Sequence, residues 1–210
     1  MDPKAQIAKL FDAERAVRTI HAELLAEDPK ALLAAAGPAA REALSMKDAA
    51  ESTIRLVRVA ELLAEVPGEE SADLLVDILG SEQGEARLSA GEALEERGYS
   101  RFKELALAVE RALDRLPKES VALEELPYLL AEIPEPGVTK LLARFLKLDS
   151  AEAVSASIEA LVEVGDPSAV KLLDPLATDK RTVNVAGEAS ITIGELAREA
   201  SDLLRRVKPE

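Results

Sequence analysis

The stretch Leu62-Leu63-Ala64-Glu65-Val66-Pro67 recurs 67 residues later as Leu129-Leu130-Ala131-Glu132-Ile133-Pro134. Both copies place an apolar helical pattern directly before a proline, and a proline at that point ends a helix. Further helix ends are predicted at Arg97-Gly98, Val164-Gly165 and Ile193-Gly194, so that the five ends are 29 to 36 residues apart. A period of this size is typical of proteins built from stacked helical repeats.

The composition favours an all-α protein. Hydrophobic residues make up 48% of the 210 residues, which is too high for a disordered chain even at a net charge of −14. Aromatic residues make up only 2% and tryptophan is absent, so we expect a core of Ala, Leu, Val and Ile. Alanine and leucine are strong helix formers, and small aliphatic side chains suit close packing between helices.

The spacing of apolar residues and the positions of proline and glycine predict a long helix over 3–26. They also predict a short helix from Asp28-Pro29 to Gly37-Pro38. Five two-helix units then follow, and the last B helix is predicted to continue through Leu203-Leu204 to the C-terminus. The first (A) helices are predicted at 39–49, 69–80, 99–116, 136–148 and 167–178, and the second (B) helices at 52–66, 84–97, 119–133, 150–164 and 183–194. Pro127 should kink its helix. We expect residues 1–38 to form an N-terminal helical cap and residues 39–210 one continuous repeat domain.

Two sequence motifs relate these helix pairs to a known family. They are Gly165-Asp166-Pro167-Ser168-Ala169-Val170-Lys171-Leu172-Leu173 and Ser155-Ala156-Ser157-Ile158-Glu159-Ala160-Leu161-Val162-Glu163-Val164-Gly165. The pattern resembles the short bacterial HEAT repeat, including its phycobilin-lyase-type subfamily, well over 52–98 and 134–194 and more weakly over 99–133. The resemblance implies a right-handed α-solenoid of about five helix pairs, with the B helices on the concave surface.

Several classes of function are disfavoured by what the sequence lacks. With no cysteine and only His21 as histidine, the sequence offers no thiolate site, histidine dyad or multi-histidine metal site. We therefore expect no enzyme activity, catalytic residue, metal or cofactor. The 40 acidic residues outnumber the 26 basic ones, which disfavours binding to nucleic acid or to an anionic membrane. No signal peptide or membrane-spanning run is evident, so a cytoplasmic protein is expected.

Superimposing the repeat ends reveals two acidic rows, which we call the glutamate ladders. Equivalent positions of the five B helices are occupied by Glu61, Glu92, Tyr128, Glu159 and Glu188 in the first ladder, and by Glu65, Glu96, Glu132, Glu163 and Thr192 in the second. Within each helix the two positions are four residues apart and so share one face. The ladders either bind a basic segment of a partner or reflect a repeat consensus, in which glutamate is simply a good surface helix former.

The N-terminal helix has two interpretations. Repeat proteins need polar-faced end caps, and this amphipathic helix suits that role. Alternatively, Ile7, Leu10 and Phe11 form a contact with a partner or with a second copy; capping is the favoured interpretation, and we expect a monomer or weak homodimer.

These patterns support three hypotheses about function. The leading one is a protein-binding scaffold or adaptor that takes a basic or amphipathic segment of a partner protein on its acidic concave face. The second, which rests on the family resemblance, is a bilin lyase-type chaperone of a phycobiliprotein-like partner. The third is a hydrolase with a carboxylate-bound metal.

Overall fold

The protein is all-α, as predicted, apart from one pair of two-residue strands. A computed structural model describes residues 2–184 and 190–207. Its α-helices are α1 (Pro3–Leu25), α2 (Pro29–Leu44), α3 (Ala49–Glu65), α4 (Glu69–Leu79), α5 (Gly84–Arg115), α6 (Val121–Ala131), α7 (Val138–Phe145), α8 (Ala151–Val164), α9 (Val170–Leu173) and α10 (Ile193–Leu204). Turns of 3₁₀ helix at Pro167–Ala169 and Asp174–Leu176 flank α9, and β1 (Thr182–Val183) pairs antiparallel with β2 (Ile191–Thr192).

Side-chain caps fix the start of several helices. The side chains of Asp2, Asp28, Asp48 and Ser150 each accept a hydrogen bond from a backbone N–H in the first turn of α1, α2, α3 and α8. Such a cap satisfies a donor that has no partner inside the helix, and it stabilises the helix by about 1 kcal/mol. Prolines at the first positions of α1 and α2 have the φ that a helix start requires.

A single apolar core connects the helices from α2 to α10. It consists mainly of buried leucines and alanines, and Phe145 is its fully buried aromatic residue. Along this core, α3 contacts α5, α5 contacts α6, α6 contacts α8, and α8 contacts α10. These helices therefore follow one another in space in the order of the chain, and their exposed faces adjoin.

Three of the five predicted helix ends are confirmed. The helix α3 ends at Glu65, directly before Val66-Pro67, and α6 ends at Ala131, close to Ile133-Pro134. The helix α8 ends at Val164, and Gly165 follows it with a φ of 69° in the left-handed region. Glycine adopts this conformation without steric cost, which explains why it terminates α8 so cleanly.

The helix end predicted at Arg97-Gly98 lies a few residues later, at Arg101. Helix α5 continues through both residues and bends only at Arg101, where φ is −148° and ψ is 50°. A Cβ atom on Gly98 would lie 2.2 Å from Cδ1 of Ile133. Gly98 is therefore needed for close packing against Ile133, rather than for a turn. The two helices predicted at 84–97 and 99–116 are both present, and they meet at the kink at Arg101.

The predicted helix end at Ile193-Gly194 is wrong, because α10 begins there. Thr192 and Glu195 form a reciprocal capping box at its start. The predicted helix over 183–194 is replaced at its two ends by β1 and β2, while residues 185–189, including Glu188, lie outside the described part of the chain. Helix α10 covers the predicted continuation as far as Leu204 but ends there, so residues 205–207 are not helical as predicted.

The helix end predicted at Gly37-Pro38 is wrong as well, since α2 continues to Leu44. The residues Ala36, Gly37, Ala40 and Ala43 are all buried, so tertiary packing on this face outweighs the lost hydrogen bond at Pro38. The separate helix predicted at 39–49 is largely the second half of α2, and the boundary predicted between residues 38 and 39 falls inside one helix. Pro127 likewise lies inside α6.

The helix α1 matches its predicted span, but little of its surface is buried. It contacts α2 and α3, and none of its 23 residues, all of which the structure describes, is buried. Within the described residues, no helix combines the length and the apolar character that crossing a membrane would require.

Candidate functional site

The first part of the candidate site is a cavity of about 420 Å³ between α1, α3 and α5. Glu61 and Glu65 of α3 and Glu92 and Glu96 of α5 line it. Within each helix the two glutamates are one turn apart on the same face, and contact between α3 and α5 places the two pairs side by side. The structure thus brings together the α3 and α5 members of both glutamate ladders.

Two further cavities continue this surface along the molecule. One of about 350 Å³ lies between α5 and α6, and another of about 480 Å³ is lined by residues of α6 and α8 together with β1 and Asn184. Glu92 lines the first and second cavities, while Glu125 and Tyr128 line the second and third. Because neighbouring cavities share residues, the three form one surface from α3 to α8, which we call the acidic groove.

Not every predicted site residue belongs to the acidic groove. Tyr128 and Glu159 line its third cavity. Glu132 and Glu163 are exposed at the ends of α6 and α8, and neither is among the residues that line the three cavities. Tyr99 donates a 2.8 Å hydrogen bond to the backbone carbonyl of Glu132. Glu188 lies outside the described residues.

Most glutamates of the ladders have no basic partner. Among the described residues, no ion pair is formed by Glu65, Glu92, Glu96, Glu132, Glu159 or Glu163. Glu61 is paired with Arg58 at 2.8 Å, and Glu125 is 3.7 Å from Arg87. The groove therefore keeps an excess of unneutralised negative charge along its length.

Three of the four acidic residues of α4 are paired, in contrast to most of those of the groove. Arg111 lies 3.0 Å from Asp73 and 3.6 Å from Glu69, and Arg115 lies 2.5 Å from Asp77. Both arginines belong to the second half of α5, which packs on α4. Apart from Glu70, the run of acids at 69–80 is thus neutralised by its neighbours, whereas most acids of the groove are not.

The third cavity contains the groove's most perturbed titratable groups. The Tyr128 hydroxyl donates a 2.8 Å hydrogen bond to Oε2 of Glu159. Partial burial, and then this hydrogen bond, raise the pKa of Tyr128 well above its ordinary value. Burial also raises the pKa of Glu124, and the nearby carboxylates of Glu152 and Glu125 raise it further. A raised carboxyl pKa is the effect expected where like charges crowd together.

Sequence reasoning missed several residues of the groove. Leu88 and Glu95 line the second cavity, and Glu152 lines the third. Leu88 lies one helical turn before Glu92, so the i,i+4 relation that defined the ladders was a usable signal for it. His21 lines the first cavity together with Arg18. No repeat pattern extends into α1, so nothing in the sequence linked these two residues to the groove.

The titratable side chains that line the groove are mainly carboxylates. Within the described residues, no set of three or more His, Cys, Asp or Glu side chains is placed to hold a metal ion. Besides its acidic residues, the groove is lined by Arg18, Arg58 and Arg87 and by His21. Its exposed apolar side chains include Leu88 and Tyr128, which are 64% and 44% exposed. Its chemical character is that of a mainly acidic surface with apolar contacts.

Comparison with known proteins does not identify a family. No family model matches the chain, and no curated protein matches it. A crystal structure of an engineered protein is similar over 90% of this chain and 96% of its own, with a TM-score of 0.38 and 19% sequence identity. At that TM-score the similarity supports no argument about fold or function.

Proposed function

We propose that the protein is a non-enzymatic binding scaffold whose acidic groove receives a basic or amphipathic segment of a partner protein. The observation that supports this most directly is the contrast in ion pairing between two surfaces. Glutamates of the groove such as Glu92 and Glu96 have no basic partner among the described residues, whereas Asp73 and Asp77 of α4 are paired with arginines. Concentrated, unneutralised charge attracts a partner of opposite charge and orients it during encounter.

The shape of the groove suits a polypeptide better than a small molecule. Small-molecule sites are usually a single deep pocket that encloses most of the ligand. Here three cavities of about 350 to 480 Å³ follow one another from α3 to α8. Since packed helices are about 8–10 Å apart, the groove extends for roughly 25–30 Å, the length of a helix of about 18 residues.

Two exposed apolar side chains within this acidic surface favour an amphipathic occupant. Leu88 and Tyr128 both line the second cavity and are 64% and 44% exposed. An amphipathic helix in a groove gains affinity from a few apolar anchors, while its charged residues set orientation and specificity. A segment with basic residues beside an apolar stripe would satisfy both parts of the groove.

We also infer that the helices form an α-solenoid of HEAT-like pairs. The serial contacts α3–α5, α5–α6, α6–α8 and α8–α10 support this arrangement, as does the recurrence of helix ends at Val66, Ile133 and Gly165. In such a solenoid the helices that bear the glutamate ladders line the inner surface. The acidic groove would then be the concave face on which repeat proteins commonly bind their partners.

The proposal is tested with three fluorescent peptides of equal length. One is an amphipathic Lys/Leu helix, the second has every Lys replaced by Glu, and the third has the composition of the first in an order that destroys the apolar stripe. We expect the first to bind with micromolar affinity that weakens as salt is added, the third to bind more weakly, and the second not to bind. Equal binding of the basic and acidic helices, or binding of neither, would contradict the proposal.

A further inference from the structure

The second cavity of the acidic groove is lined in large part by apolar side chains. Leu79 at the end of α4, Leu88 of α5, and Leu129 and Tyr128 of α6 all line it. Leu79 is buried and Leu129 is half-buried, whereas Leu88 and Tyr128 are exposed. The cavity, of about 350 Å³, therefore joins the edge of the apolar core to the surface of the groove.

Helix α5 has two glycines in its interior, and packing requires only one of them. A Cβ atom on Gly98 would lie 2.2 Å from Cδ1 of Ile133. On Gly91, which lines the second cavity, a Cβ atom would meet only Cδ1 of Leu79, at an ordinary contact distance of 3.8 Å. Neither glycine has a positive φ. Glycine destabilises a helix interior relative to alanine, and no contact among the described residues requires that loss at Gly91.

The charge around the second cavity is mainly negative. Glu92 and Glu95 line it, and neither forms an ion pair among the described residues. Arg87 also lines the cavity, but its guanidinium is already engaged. It donates hydrogen bonds to two backbone carbonyls at 3.1 and 3.3 Å and lies 3.7 Å from Glu125. The cavity therefore attracts positive charge to its surroundings.

We propose that the second cavity is a specificity pocket for one large apolar side chain, of leucine or larger, that is flanked by basic residues in the partner segment. This inference rests on the proposed function, and it adds which side chain is recognised and where. The absence of a side chain at Gly91 leaves the space that this anchor fills. A few anchors buried in pockets contribute most of the binding energy of many interfaces.

The exposure of the lining residues decides why the anchor is apolar and its neighbours are basic. The most buried lining residue is Leu79, whereas Glu92 is exposed. A charged group placed against Leu79 would lose its hydration without gaining a partner, while an apolar group there gains from burial. A basic residue next to the anchor remains near the exposed carboxylates, where it is both hydrated and attracted.

Two peptides that differ at one position test the pocket. Both are lysine and alanine helices of about 18 residues, and the central position is leucine in one and alanine in the other. Fluorescence anisotropy should show that the protein binds the leucine peptide about tenfold more tightly, because one leucine side chain becomes buried. Equal binding of the two peptides would overturn the pocket but not the proposed function. Binding of neither peptide would overturn both.

Filling the cavity from within tests the role of Gly91. Gly91→Ala should reduce the preference for the leucine peptide, and Gly91→Leu should bring the two affinities to within about twofold of each other. The control Ala35→Leu adds the same side chain at an exposed position of α2, outside the three cavities, and should keep the tenfold preference. A preference that Gly91→Leu leaves unchanged would overturn the assignment of the pocket.

Thermal unfolding distinguishes a filled pocket from a damaged fold. Alanine is a better helix former than glycine, and its Cβ fits at position 91, so Gly91→Ala should raise the midpoint of unfolding. A lower midpoint would show that the fold itself needs this glycine, and would overturn the inference that the space is kept for a ligand.

Discussion

The hydroxyl of Tyr128 and the carboxylate of Glu159 are joined by a 2.8 Å hydrogen bond between α6 and α8. The two residues occupy equivalent positions of successive repeats in the sequence, and the structure places them in contact in the third cavity of the acidic groove. Because the neutral phenol donates this bond and is partly buried, the fold favours the protonated form and raises the pKa of Tyr128.

The ionisation of Tyr128 can be measured directly in a Tyr99→Phe variant, which retains Tyr128 as its single tyrosine. The tyrosinate absorbance should appear at a pH well above the ordinary tyrosine value of about 10. Adding Glu159→Gln should lower that pH, although only in part, since burial is the larger cause of the shift. A midpoint near 10 in the folded protein, without any effect of Glu159→Gln, would show that the hydrogen bond is not formed.

The same shift predicts a loss of stability in alkaline solution. The pKa of Tyr128 is higher in the folded than in the unfolded chain, so its contribution is intact below about pH 10 and is lost as the pH rises further. The free energy of unfolding of Tyr128→Phe should therefore fall less steeply than that of the wild type above about pH 10. Denaturant titrations at several pH values measure both slopes.

The side chain of Arg97 should be a main determinant of stability. It is 1% exposed and donates hydrogen bonds to the backbone carbonyls of Leu63, Val66 and Gly68 and to the hydroxyl of Ser71, at 2.9 to 3.1 Å. Replacing it with alanine removes these four hydrogen bonds and leaves a large buried cavity, and should lower the free energy of unfolding by about 3–5 kcal/mol.

The matched control for Arg97 is Arg58→Ala, which removes an exposed arginine of the neighbouring helix and should cost less than about 1 kcal/mol. Lysine at position 97 should recover only part of the loss, because it cannot donate in the several directions of the guanidinium. Chemical denaturation of the variants measures these differences, and similar costs at positions 97 and 58 would contradict this account.

Gly98 and Ile133 should show strong energetic coupling. A methyl group at Gly98 would overlap Cδ1 and Cγ1 of Ile133, at 2.2 and 2.9 Å. We expect Gly98→Ala to cost about 1–3 kcal/mol through overpacking, and Ile133→Val about 0.5–1.5 kcal/mol through lost burial. Because valine lacks Cδ1, the double variant should cost clearly less than the sum of the two. Additive effects in the double-mutant cycle would show that the loss of stability in Gly98→Ala does not come from overlap with Ile133.

Neutralising Glu124 should stabilise the protein at neutral pH. Its pKa is raised above the ordinary value by burial and by the carboxylates of Glu152 and Glu125, so the ionised form is disfavoured in the fold. We expect Glu124→Gln to gain a few tenths of a kcal/mol at pH 7, and this gain to vanish as Glu124 itself becomes protonated in acid. Glu27→Gln, which removes an exposed acid far from this cluster, should show no such pH-dependent gain in thermal unfolding.

The sequence predicted the helix ends where proline or a left-handed glycine acts locally. Val66-Pro67 and Gly165 are of this kind, since φ and the missing N–H decide the outcome within one turn. Gly98 and Gly194 were misinterpreted because they serve close packing against Ile133 and against the backbone oxygens of Ala177 and Asp179. Such contacts are formed by distant residues, and a single sequence does not distinguish them from turns.

The candidate site, too, was predictable from the sequence only in part. The register of the repeats was sufficient to bring Glu61, Glu65, Glu92 and Glu96 together in one cavity. The ion pairs of α4, such as Arg111 with Asp73, join residues 38 positions apart and depend on how α5 packs on α4. The sequence therefore indicated where acids accumulate, whereas only the structure distinguishes the acids that are neutralised from those that are not.

The most direct test of the binding function compares two triple charge reversals of the same size. The variant Glu92→Lys/Glu96→Lys/Glu159→Lys alters the groove, and the control Glu27→Lys/Glu70→Lys/Glu135→Lys alters exposed acids elsewhere, with the same change in net charge. Fluorescence anisotropy with the basic amphipathic peptide should show that the groove variant loses affinity by at least about tenfold while the control keeps most of it. Equal losses in the two variants would mean that net charge alone attracts the peptide, and would contradict the assignment of binding to the groove.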